Sequence, residues 1–289
     1  MGKITVVGSI NADLVTTSDC FPMVGETITG NTFTILAGGK GANQAVSAAK
    51  LGADVSFIGC VGDDTNGQFL LKNMENNQIN TGGIEVLNDL PTGVAQITVA
   101  RDDNTIIFVP GANHLLTEAV VNKHIEMIYQ ADVILLQLEI PLKTVEYVVE
   151  LCAKKGIKVI LNPAPSYDLA QSLLNNVTYL TPNEVELEKI FGEDRAVVLE
   201  KYPNKVIMTC GGEGAYYHNG TRVVNVKGLP VKVVDTTGAG DSFNGALAYA
   251  LTKKYQLTDA IRFANKVASK TVQGLGAQTA MPTLQELQN

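Results

Sequence analysis

Short apolar runs recur along this chain, separated by segments whose apolar residues follow a helical period. The runs are continuous, which is typical of strands buried on both faces of a parallel sheet. They are Ile4–Val7, Val55–Ile58, Val133–Leu136, Lys158–Leu161, Tyr179–Thr181 and Val206–Thr209. The helical segments are Ala42–Leu51, Gly67–Asn77, Leu142–Lys154 and Glu184–Phe191. This alternation predicts an α/β fold with a doubly wound, mostly parallel sheet and helices on both faces.

Two stretches break the alternation, because their strands are rich in Thr and alternate polar with apolar residues. No helical pattern accompanies them, so we expect a small separate sheet. Its strand pairs are Asp13–Val15 with Thr27–Ile35, and Val94–Ala100 with Thr105–Val109. Residues 101–104 would join the second pair as a hairpin loop. The insertions that form this sheet would cover about residues 12–36 and 93–110.

Composition favours a small-molecule enzyme. The 289 residues are 45% hydrophobic, enough for a large core, and we expect one domain over residues 1–289. The net charge of −7 and the lack of a Lys/Arg-rich block argue against nucleic acid and anionic membranes as partners. No apolar run approaches the roughly 20 residues that span a membrane, and no apolar leader precedes Ile4. We therefore expect a soluble, cytoplasmic protein.

The cysteines do not suggest a zinc framework or a disulfide scaffold. The four of them are widely spaced, without a C-x-x-C pair, and only three histidines are present. In a chain of this size, reduced thiols are the simplest interpretation.

The segment Asp235–Ala246, D-T-T-G-A-G-D-S-F-N-G-A, places two glycines and a carboxylate at the start of a helix. We expect Val231–Val234 to lead in as a strand and Phe243–Leu251 to continue as a helix. The N–H groups of a helix start attract anions, and small residues let a phosphate approach. A carboxylate there would repel a resting phosphate, but would suit a base that takes a proton from an attacking hydroxyl. Asp241 is thus a candidate base, although Asp235 and Asp241 could instead only cap the turn and the helix.

A second glycine-rich segment, Ala37–Ala45, reads A-G-G-K-G-A-N-Q-A. By itself it could be a turn that caps the following helix. Together, the two segments resemble the N-terminal and C-terminal signatures of the PfkB family of carbohydrate and nucleoside kinases. The C-terminal pattern, D-T-x-G-A-G-D-x-F-x-G-A, matches at every defined position, and the resemblance runs from about Ile4 to Pro282. It implies that Asp241 activates a hydroxyl while the amides of Gly238, Ala239 and Gly240 stabilise the transferring phosphoryl group.

The resemblance also implies a sugar site that is similar to that of ribose-specific members. Asn11 and Asp13 follow the first predicted strand, at the sheet edge where α/β folds bind ligands. The implied sugar contacts are Asn11, Asp13, Gly39, Lys40, Gly41, Asn43, Glu139 and Asp241. Asn11 could instead be a turn residue. Glu139 could be a carboxylate at the N-terminus of the helix that follows Pro141.

For ATP and Mg²⁺, the resemblance implies a site built on two motifs. Asn183 and Glu186 match an N-x-x-E motif that helps to hold the water shell of Mg²⁺, and they could also form a capping box. The T-C-G-G-E-G loop resembles a nucleotide loop, although a turn between strands would use the same glycines. The implied contacts are Asn183, Glu186, Thr209, Gly211, Gly212, Gly214, Gly240 and Asn265. Residues 192–204 are shorter than in many members, and we expect no full helix there.

A monovalent-cation site beside the anion site is also implied, with K⁺ held by a carboxylate and by carbonyl oxygens. Its residues would be Asp235, Thr237, Thr271, Gly274, Gly276 and Ala280. Ala280 lacks the hydroxyl that is often found at this position.

The resemblance thus implies an ATP-dependent phosphorylation of D-ribose at O5, with the small sheet as a lid that also joins two subunits. A sheet without a cover has edges and an apolar face to protect, which favours a homodimer. The alternatives are a kinase for deoxyribose, a fructose derivative or a nucleoside, a silent sugar sensor, and an oxidoreductase. A sensor has no need of Asp241. Gly41 after Lys40 excludes a Walker A loop, and the turn after Val7 lacks the second glycine of a dinucleotide fingerprint.

Overall fold

The computed structural model describes residues 2–101 and 103–288. The strands are β1 Lys3–Val7, β2 Asn11–Thr17, β3 Thr32–Gly38, β4 Asp54–Gly62, β5 Asn80–Leu87, β6 Gly93–Ala100, β7 Asp103–Val109, β8 Val133–Leu136, β9 Lys158–Leu161, β10 Tyr179–Leu180, β11 Ile207–Thr209, β12 Gly214–His218 and β13 Val223–Lys227. The helices are α1 Lys40–Lys50, α2 Thr65–Asn76, α3 Glu118–Lys123, α4 Ile125–Tyr129, α5 Leu142–Lys155, α6 Gln171–Asn176, α7 Glu184–Phe191, α8 Arg195–Lys201, α9 Ala239–Thr252, α10 Leu257–Thr271 and α11 Ala277–Ala280.

Six parallel strands form the central sheet, in the order β10-β9-β8-β1-β4-β5. Successive residues of a strand enter opposite cores. In β8, Val133 and Leu135 pack with α1, α9 and α10, whereas Ile134 and Leu136 pack with α5 and α6. Burying one such side chain stabilises the fold by about 1.5–3 kcal/mol. The predicted doubly wound α/β fold is confirmed, and burial on both faces explains the continuous apolar runs.

The small sheet has the order β3-β2-β6-β7. The predicted pairs are present as antiparallel β2–β3 and β6–β7, and a parallel β2–β6 pairing joins them. β3 begins only at Thr32, so residues 27–31 of the predicted strand lie outside it. Asp102, in the predicted hairpin loop, lies outside the described residues. β7 is exposed along its length, and Phe33 and Ile107 are 61% and 67% exposed. The apolar surface of this sheet is therefore largely uncovered.

Three expectations about local structure are wrong. Val231–Val234 is not a strand in the described chain, because its apolar side chains line a cavity instead of joining a sheet. The predicted strand Val206–Thr209 is present as β11, but it is not part of the central parallel sheet: it meets that sheet only through single bridges and pairs regularly with antiparallel β12. Residues 192–204 do contain a helix, α8, whose start is capped by Asp194 accepting from the N–H of Ala196 at 2.8 Å.

The helix ends that flank the site follow ordinary capping chemistry. α7 begins at a capping box, in which Oδ1 of Asn183 accepts from the N–H of Glu186 and Oε2 of Glu186 accepts from the N–H of Asn183. It ends at Gly192 in the left-handed region. Within residues 2–101 and 103–288, none of the helices has the length and apolar character needed to cross a membrane.

Candidate active site

The turn of residues 235–240 ends in the N-terminus of α9. Gly238 is the N-cap with φ of 75°, a conformation that favours glycine. A Cβ at Gly240 would meet no atom within 4 Å, so the first turn faces open space. The Ala239 N–H donates to the Thr236 carbonyl at 3.2 Å, whereas those of Gly238 and Gly240 have no backbone acceptor among the described residues. This helix start can receive an anion.

Asp241 lies in the first turn of α9 and is buried. Its Oδ2 accepts from Nδ2 of Asn43 at 2.9 Å, and its Oδ1 accepts from Nε2 of Gln44 at 3.1 Å. Burial raises the pKa of Asp241, while Lys40 and these two amides act to lower it. Since both oxygens accept from side chains of α1, the interpretation of Asp241 as only a helix cap is wrong.

Asp235, by contrast, does cap the turn. Its Oδ1 accepts from the N–H of Thr237 at 2.9 Å and from its hydroxyl at 2.6 Å, and its Oδ2 accepts from the N–H of Gly276 at 2.9 Å. Although burial acts to raise it, these hydrogen bonds hold the pKa of Asp235 below its ordinary value. Asp235 is therefore a carboxylate that ties the anion-site turn to the start of α11.

The other expected cation ligands lie along the segment between α10 and α11. The carbonyl of Thr271 accepts from the N–H of Gly274 at 3.2 Å. A Cβ at Gly274 would lie 2.9 Å from the Cβ of Ala280, so these two positions are in contact. The six residues thus fall into two sets of mutual contacts. Asp235 contacts Thr237 and Gly276, and Gly274 contacts Thr271 and Ala280.

The glycine-rich turn before α1 packs against the backbone between β1 and β2. A Cβ at Gly39, whose φ is 89°, would lie 2.8 Å from the nitrogen of Asn11, and one at Gly41 would lie 2.6 Å from the nitrogen of Ser9. Such contacts have no room for a side chain. The two glycines therefore bring α1 against the end of β1, and the alternative of a turn that starts a helix describes them well.

Glu139 joins this turn to the central sheet. Its Oε2 accepts from the hydroxyl of Ser9 at 2.6 Å, from the N–H of Lys40 at 3.0 Å and from Nδ2 of Asn11 at 3.5 Å. Lys40 is the first residue of α1, whereas the helix after Pro141 begins without a side-chain cap. Glu139 therefore caps α1 and not the helix that follows Pro141, so its alternative role is wrong.

Asp13 and Lys40 belong to a cluster of charges. Burial, followed by repulsion from Glu139 and Asp241, raises the pKa of Asp13 to about 7, against the attraction of Lys40. Burial acts to lower the pKa of Lys40, but Asp241, Glu139 and two further carboxylates raise it above its ordinary value. No described residue donates a hydrogen bond to the Asp13 side chain. Its oxygens are available to the hydroxyls of a polyol.

Asn11 is oriented by a residue that the sequence analysis did not identify. Nδ2 of the buried Asn113 donates to Oδ1 of Asn11 at 2.8 Å, and Oδ1 of Asn113 accepts from the N–H of Ile10 at 2.9 Å. The Asn11 amide therefore turns its NH₂ group toward Glu139 and the site. Asn11 is the first residue of β2, so the alternative of a plain turn residue is wrong.

Two cavities meet at the start of α9 and share Thr236 and Ala239. The polar one is lined by Lys40, Asn162, Ala164, Thr181, Asn183, Glu186, Thr209, Gly238, Gly240, Asp241 and Asn244 as well. The other is mostly apolar and is lined further by Gly211, Gly212, Gly228, Leu229, Pro230, Val231, Val233, Asn265, Ala268, Ser269 and Val272. A charged, elongated ligand with an apolar end would fit across the two.

The nucleotide-loop residues divide between lining and support. Gly211 and Gly212 line the apolar cavity, and a Cβ on either would meet no atom within 4 Å. Gly214 lies behind it, where a Cβ would come 2.2 Å from the carbonyl oxygen of Val226. Nδ2 of Asn265 donates to that same carbonyl at 2.7 Å. Asn265 thus holds the end of β13 while it lines the cavity.

The sequence profile of the pfkB family carbohydrate kinases matches residues 1–284. The chain belongs to this family. A PfkB relative, the ribokinase of Bacillus subtilis, is 44% identical over 289 residues, which cover 100% of this chain and 99% of the relative. The deoxyribokinase of Salmonella typhi is 36% identical over 295 residues, covering 98% of this chain and 96% of the relative. The resemblance to the PfkB family and the expected class of carbohydrate kinase are confirmed.

A solved structure has the same PfkB fold. It is Arabidopsis thaliana ribokinase complexed with ribose and ATP, with a TM-score of 0.92 and 33% identity, covering 100% of this chain and 98% of that chain.

Several site residues of this PfkB chain escaped the sequence analysis, and they are mainly amides and hydroxyls. Most of them sit in or beside an apolar run, where a polar residue is out of place unless it has a partner. They are Ser9, Gln44, Asn113, Gln137, Asn162, Thr181, Asn244 and Gln278. The break in the apolar pattern was a usable signal, but the sequence alone did not name the partners.

Proposed function

We propose that this chain transfers the γ-phosphoryl group of ATP to O5 of D-ribose and releases ribose 5-phosphate and ADP. The observation that carries the proposal is the position of Asp241. It is buried between a cluster of groups suited to hydroxyls and the open N-terminus of α9. Relatives named ribokinase, and the Arabidopsis ribokinase complexed with ribose and ATP, support these substrates.

Asp241 is the general base of the reaction. It takes the proton of O5 as that oxygen attacks the γ-phosphorus in line, and the bond from the γ-phosphorus to the bridging oxygen of ADP breaks. The amides of Gly238, Ala239 and Gly240 stabilise the charge on the transferring oxygens. The donation of the Ala239 N–H to Thr236 makes Gly238 and Gly240 the freer donors.

The sugar lies against Asn11, Asp13, Gly39, Lys40, Gly41, Asn43 and Glu139. Asp13 and Glu139 accept from its hydroxyls, and the oriented NH₂ group of Asn11 donates to one of them. Gly39 and Gly41 contribute through the shape of the turn. Lys40 lies among the carboxylates and also lines the polar cavity, so its charge acts on both the sugar and the phosphates.

Mg²⁺ fits the polar cavity through Asn183 and Glu186. The capping box uses Oδ1 of Asn183 and Oε2 of Glu186, so Oε1 of Glu186 stays outside it, and both residues line the cavity beside Gly240. Mg²⁺ keeps several waters, so indirect contact with an amide and a carboxylate suits it. When bound there, Mg²⁺ would neutralise part of the charge of the phosphates. The adenine end of ATP occupies the apolar cavity, near Gly211, Gly212 and Asn265, with Thr209 toward the phosphates and Gly214 in support.

K⁺ fits the residues around Asp235. A carboxylate with a depressed pKa, together with carbonyl oxygens of Thr237, Thr271, Gly274 and Gly276, is a suitable donor set for a hard cation. Ala280 contributes no side-chain oxygen. Asp235 therefore serves as a cation ligand and a turn cap, and not as a second base.

The chain acts as one domain with the small sheet as a lid, in the cytoplasm, and as a homodimer through that sheet. The exposed apolar side chains of β3 and β7 support the dimer, because a second copy would cover them. Closure of the lid excludes water, which suppresses hydrolysis of ATP.

A substrate panel tests the proposed function. The protein is assayed with ATP, Mg²⁺ and K⁺ against D-ribose, 2-deoxyribose, fructose and nucleosides, and the products are identified by mass spectrometry. We expect the highest kcat/KM for ribose. A higher kcat/KM for 2-deoxyribose would favour a second candidate function, a deoxyribose kinase, which the similarity to the Salmonella typhi deoxyribokinase supports. Sugar binding without turnover would indicate a sensor.

A further inference from the structure

Asp241 is held by a relay of side-chain amides with two arms. In the first arm, Nδ2 of Asn73 on α2 donates to Oε1 of Gln278 on α11 at 2.7 Å. Nε2 of Gln278 donates to Oδ1 of Asn43 at 2.9 Å, and Nδ2 of Asn43 donates to Asp241. A chain of hydrogen bonds from α2 through α11 and α1 thus ends at one carboxylate oxygen.

The second arm approaches the other carboxylate oxygen from the end of β8. Nε2 of Gln137 donates to Oε1 of Gln44 at 2.6 Å. Nε2 of Gln44 donates to Oδ1 of Asp241 and to Oδ1 of Asn162, both at 3.1 Å. Gln44 and Gln137 are both fully buried, so water does not compete for these groups.

The direction of both arms follows from the carboxylate. Ionised Asp241 can only accept hydrogen bonds, so Asn43 and Gln44 must turn their NH₂ groups toward it. Their oxygens then point away and require donors. Gln278 and Gln137 supply these donors, and each is thereby oriented in turn.

The orientation of the Gln137 amide indicates that Asp241 determines the direction of these hydrogen bonds. Among residues 2–101 and 103–288, its Oε1 is the single buried polar side-chain atom without a hydrogen-bond partner. A buried acceptor left in this way destabilises a fold. Turning the amide over would place its oxygen against the oxygen of Gln44. The orientation that is unfavourable at Gln137 is therefore the one that keeps Gln44 a donor to Asp241.

We propose that Gln44, Gln137 and Gln278 are positioning residues that fix the Asn43 and Gln44 amides as donors and so orient the Asp241 carboxylate toward the attacking hydroxyl. The proposal rests on the role of Asp241 in the proposed function. None of the three lines the polar cavity. They act through Asp241, and they leave its remaining lone pairs to the substrate.

Loss of a relay donor has a consequence of known sign. Gln137 and Gln278 donate to Gln44 and Asn43, whose own hydrogen bonds to the ionised carboxyl lower the pKa of Asp241. Loss of either relay donor frees the next amide to turn away, so the hydrogen bond to Asp241 weakens and its pKa rises. The charged groups that act on Asp241 are Lys40 of α1, Asp13 of β2, Glu139 before α5 and Glu186 of α7. All four remain in variants of the relay. A shift in the titration therefore reports the amide alone.

The test uses Gln137→Met and Gln278→Met, which keep side-chain length and remove the donor. Gln68→Met is the control, since Gln68 is exposed on α2, the helix that carries Asn73. Carboxyl ¹³C NMR follows the titration of Asp241, assigned with Asp241→Asn, and kcat/KM for ribose is measured against pH. We expect the Asp241 pKa and the acid limb of the rate profile to rise together by about one pH unit in both variants. The control should match the unsubstituted protein.

An Asp241 titration that is unchanged in both variants would overturn the proposal, as would a fall in kcat that is equal at every pH and follows the loss of Tm. If one variant does not fold, the other decides, because the arms reach different carboxylate oxygens. The NMR titration needs no turnover. Absence of ribose phosphorylation by the unsubstituted protein would therefore defeat the proposed function and leave the orientation of the relay to be judged by NMR.

Discussion

At the scale of single residues, the site concentrates negative charge where a neutral sugar would bind. Asp13, Glu139 and Asp241 surround one lysine, Lys40, and the carboxylates repel one another. Hydroxyl groups relieve this arrangement by donating hydrogen bonds to the carboxylates. The residues proposed to recognise the sugar thus destabilise the protein when no sugar is bound, as is common where binding groups are prearranged.

Asp241→Asn tests the role of the base. The amide nearly preserves the shape of the side chain but cannot take the hydroxyl proton at neutral pH. We expect kcat to fall by about 10²- to 10⁴-fold, with little change in the affinity for ATP. The measurements are steady-state kinetics with ribose and calorimetric titration of the nucleotide. A kcat within a few fold of the unsubstituted protein would remove Asp241 from the mechanism.

Asp13→Asn should separate stability from function. The pKa of Asp13 is raised from 3.8 to about 7 in the folded protein, so folding favours the protonated form. Stability therefore decreases as pH rises from about 4 to 7, and stays at the lower level above pH 7. The neutral amide removes this dependence.

We expect Asp13→Asn to gain about 1–3 kcal/mol of unfolding free energy at pH 8 and nothing near pH 4, since solvent reaches part of the side chain. Ribose binding should weaken strongly. Denaturant unfolding at the two pH values measures the first effect, and calorimetry with ribose measures the second. Equal stability changes at both pH values would contradict the assignment.

How far the sequence predicted the site depends on whether a residue's partner is close in the chain. The capping box of Asn183 and Glu186 was predictable because its members are three residues apart. Gln44 and Gln137, by contrast, are far apart in the sequence and form their hydrogen bond only in the folded protein. A local sequence pattern cannot show which distant residue forms such a hydrogen bond. A polar residue in an apolar run therefore indicated only that it has some partner.

At the scale of elements, two helix starts border the candidate active site. α1 begins at Lys40 under a cap from Glu139, and α9 begins at Ala239 behind a left-handed Gly238. β8, β9 and α7 have the predicted bounds, because each is an uninterrupted pattern with clear ends. Val231–Val234 was misjudged, because β-branched residues that line a cavity have the same apolar pattern as a strand.

Gly240→Ala and Gly41→Ala form a matched pair. The methyl group added at Gly240 would enter open space beside the anion site, whereas the one added at Gly41 would collide with the backbone of Ser9. We expect Gly240→Ala to keep or slightly raise Tm, since Ala favours a helix by about 1 kcal/mol over Gly, while kcat falls by roughly 10-fold or more. Gly41→Ala should lose about 1–3 kcal/mol of stability. Thermal unfolding and kinetics of both proteins test this, and full activity of Gly240→Ala would contradict an anion site at Gly240.

At the scale of the whole molecule, the central sheet is buried between two cores, and the small sheet is largely exposed. The continuous apolar strands predicted the first, and the alternating strands predicted the second. The parallel β2–β6 pairing that joins the two halves of the small sheet was not predictable, because parallel partners leave no turn between them to mark their register.

Ile107→Lys tests the proposed dimer. Ile107 is 67% exposed on β7, so a lysine there should not disturb the monomer, but it would place like charges in an interface across this sheet. We expect sedimentation at micromolar concentration to show a dimer for the unsubstituted protein and a monomer for the variant, with far-UV circular dichroism unchanged. Val223→Lys, at a 41% exposed position on β13, is the control. A monomeric unsubstituted protein would refute the dimer.

The strand β2 begins at Asn11 and includes Asp13, so two of the proposed sugar contacts belong to the small sheet itself. Asn113 donates a hydrogen bond to Asn11 at the start of that strand. A Cβ at Gly93, where β6 starts, would touch the side chains of both Asn11 and Asn113. The small sheet and these two proposed sugar contacts therefore belong to the same structural unit. If the small sheet is the lid that we propose, a sugar that binds Asp13 would hold the lid closed through the same contact, and sugars would then differ in how long the lid stays closed.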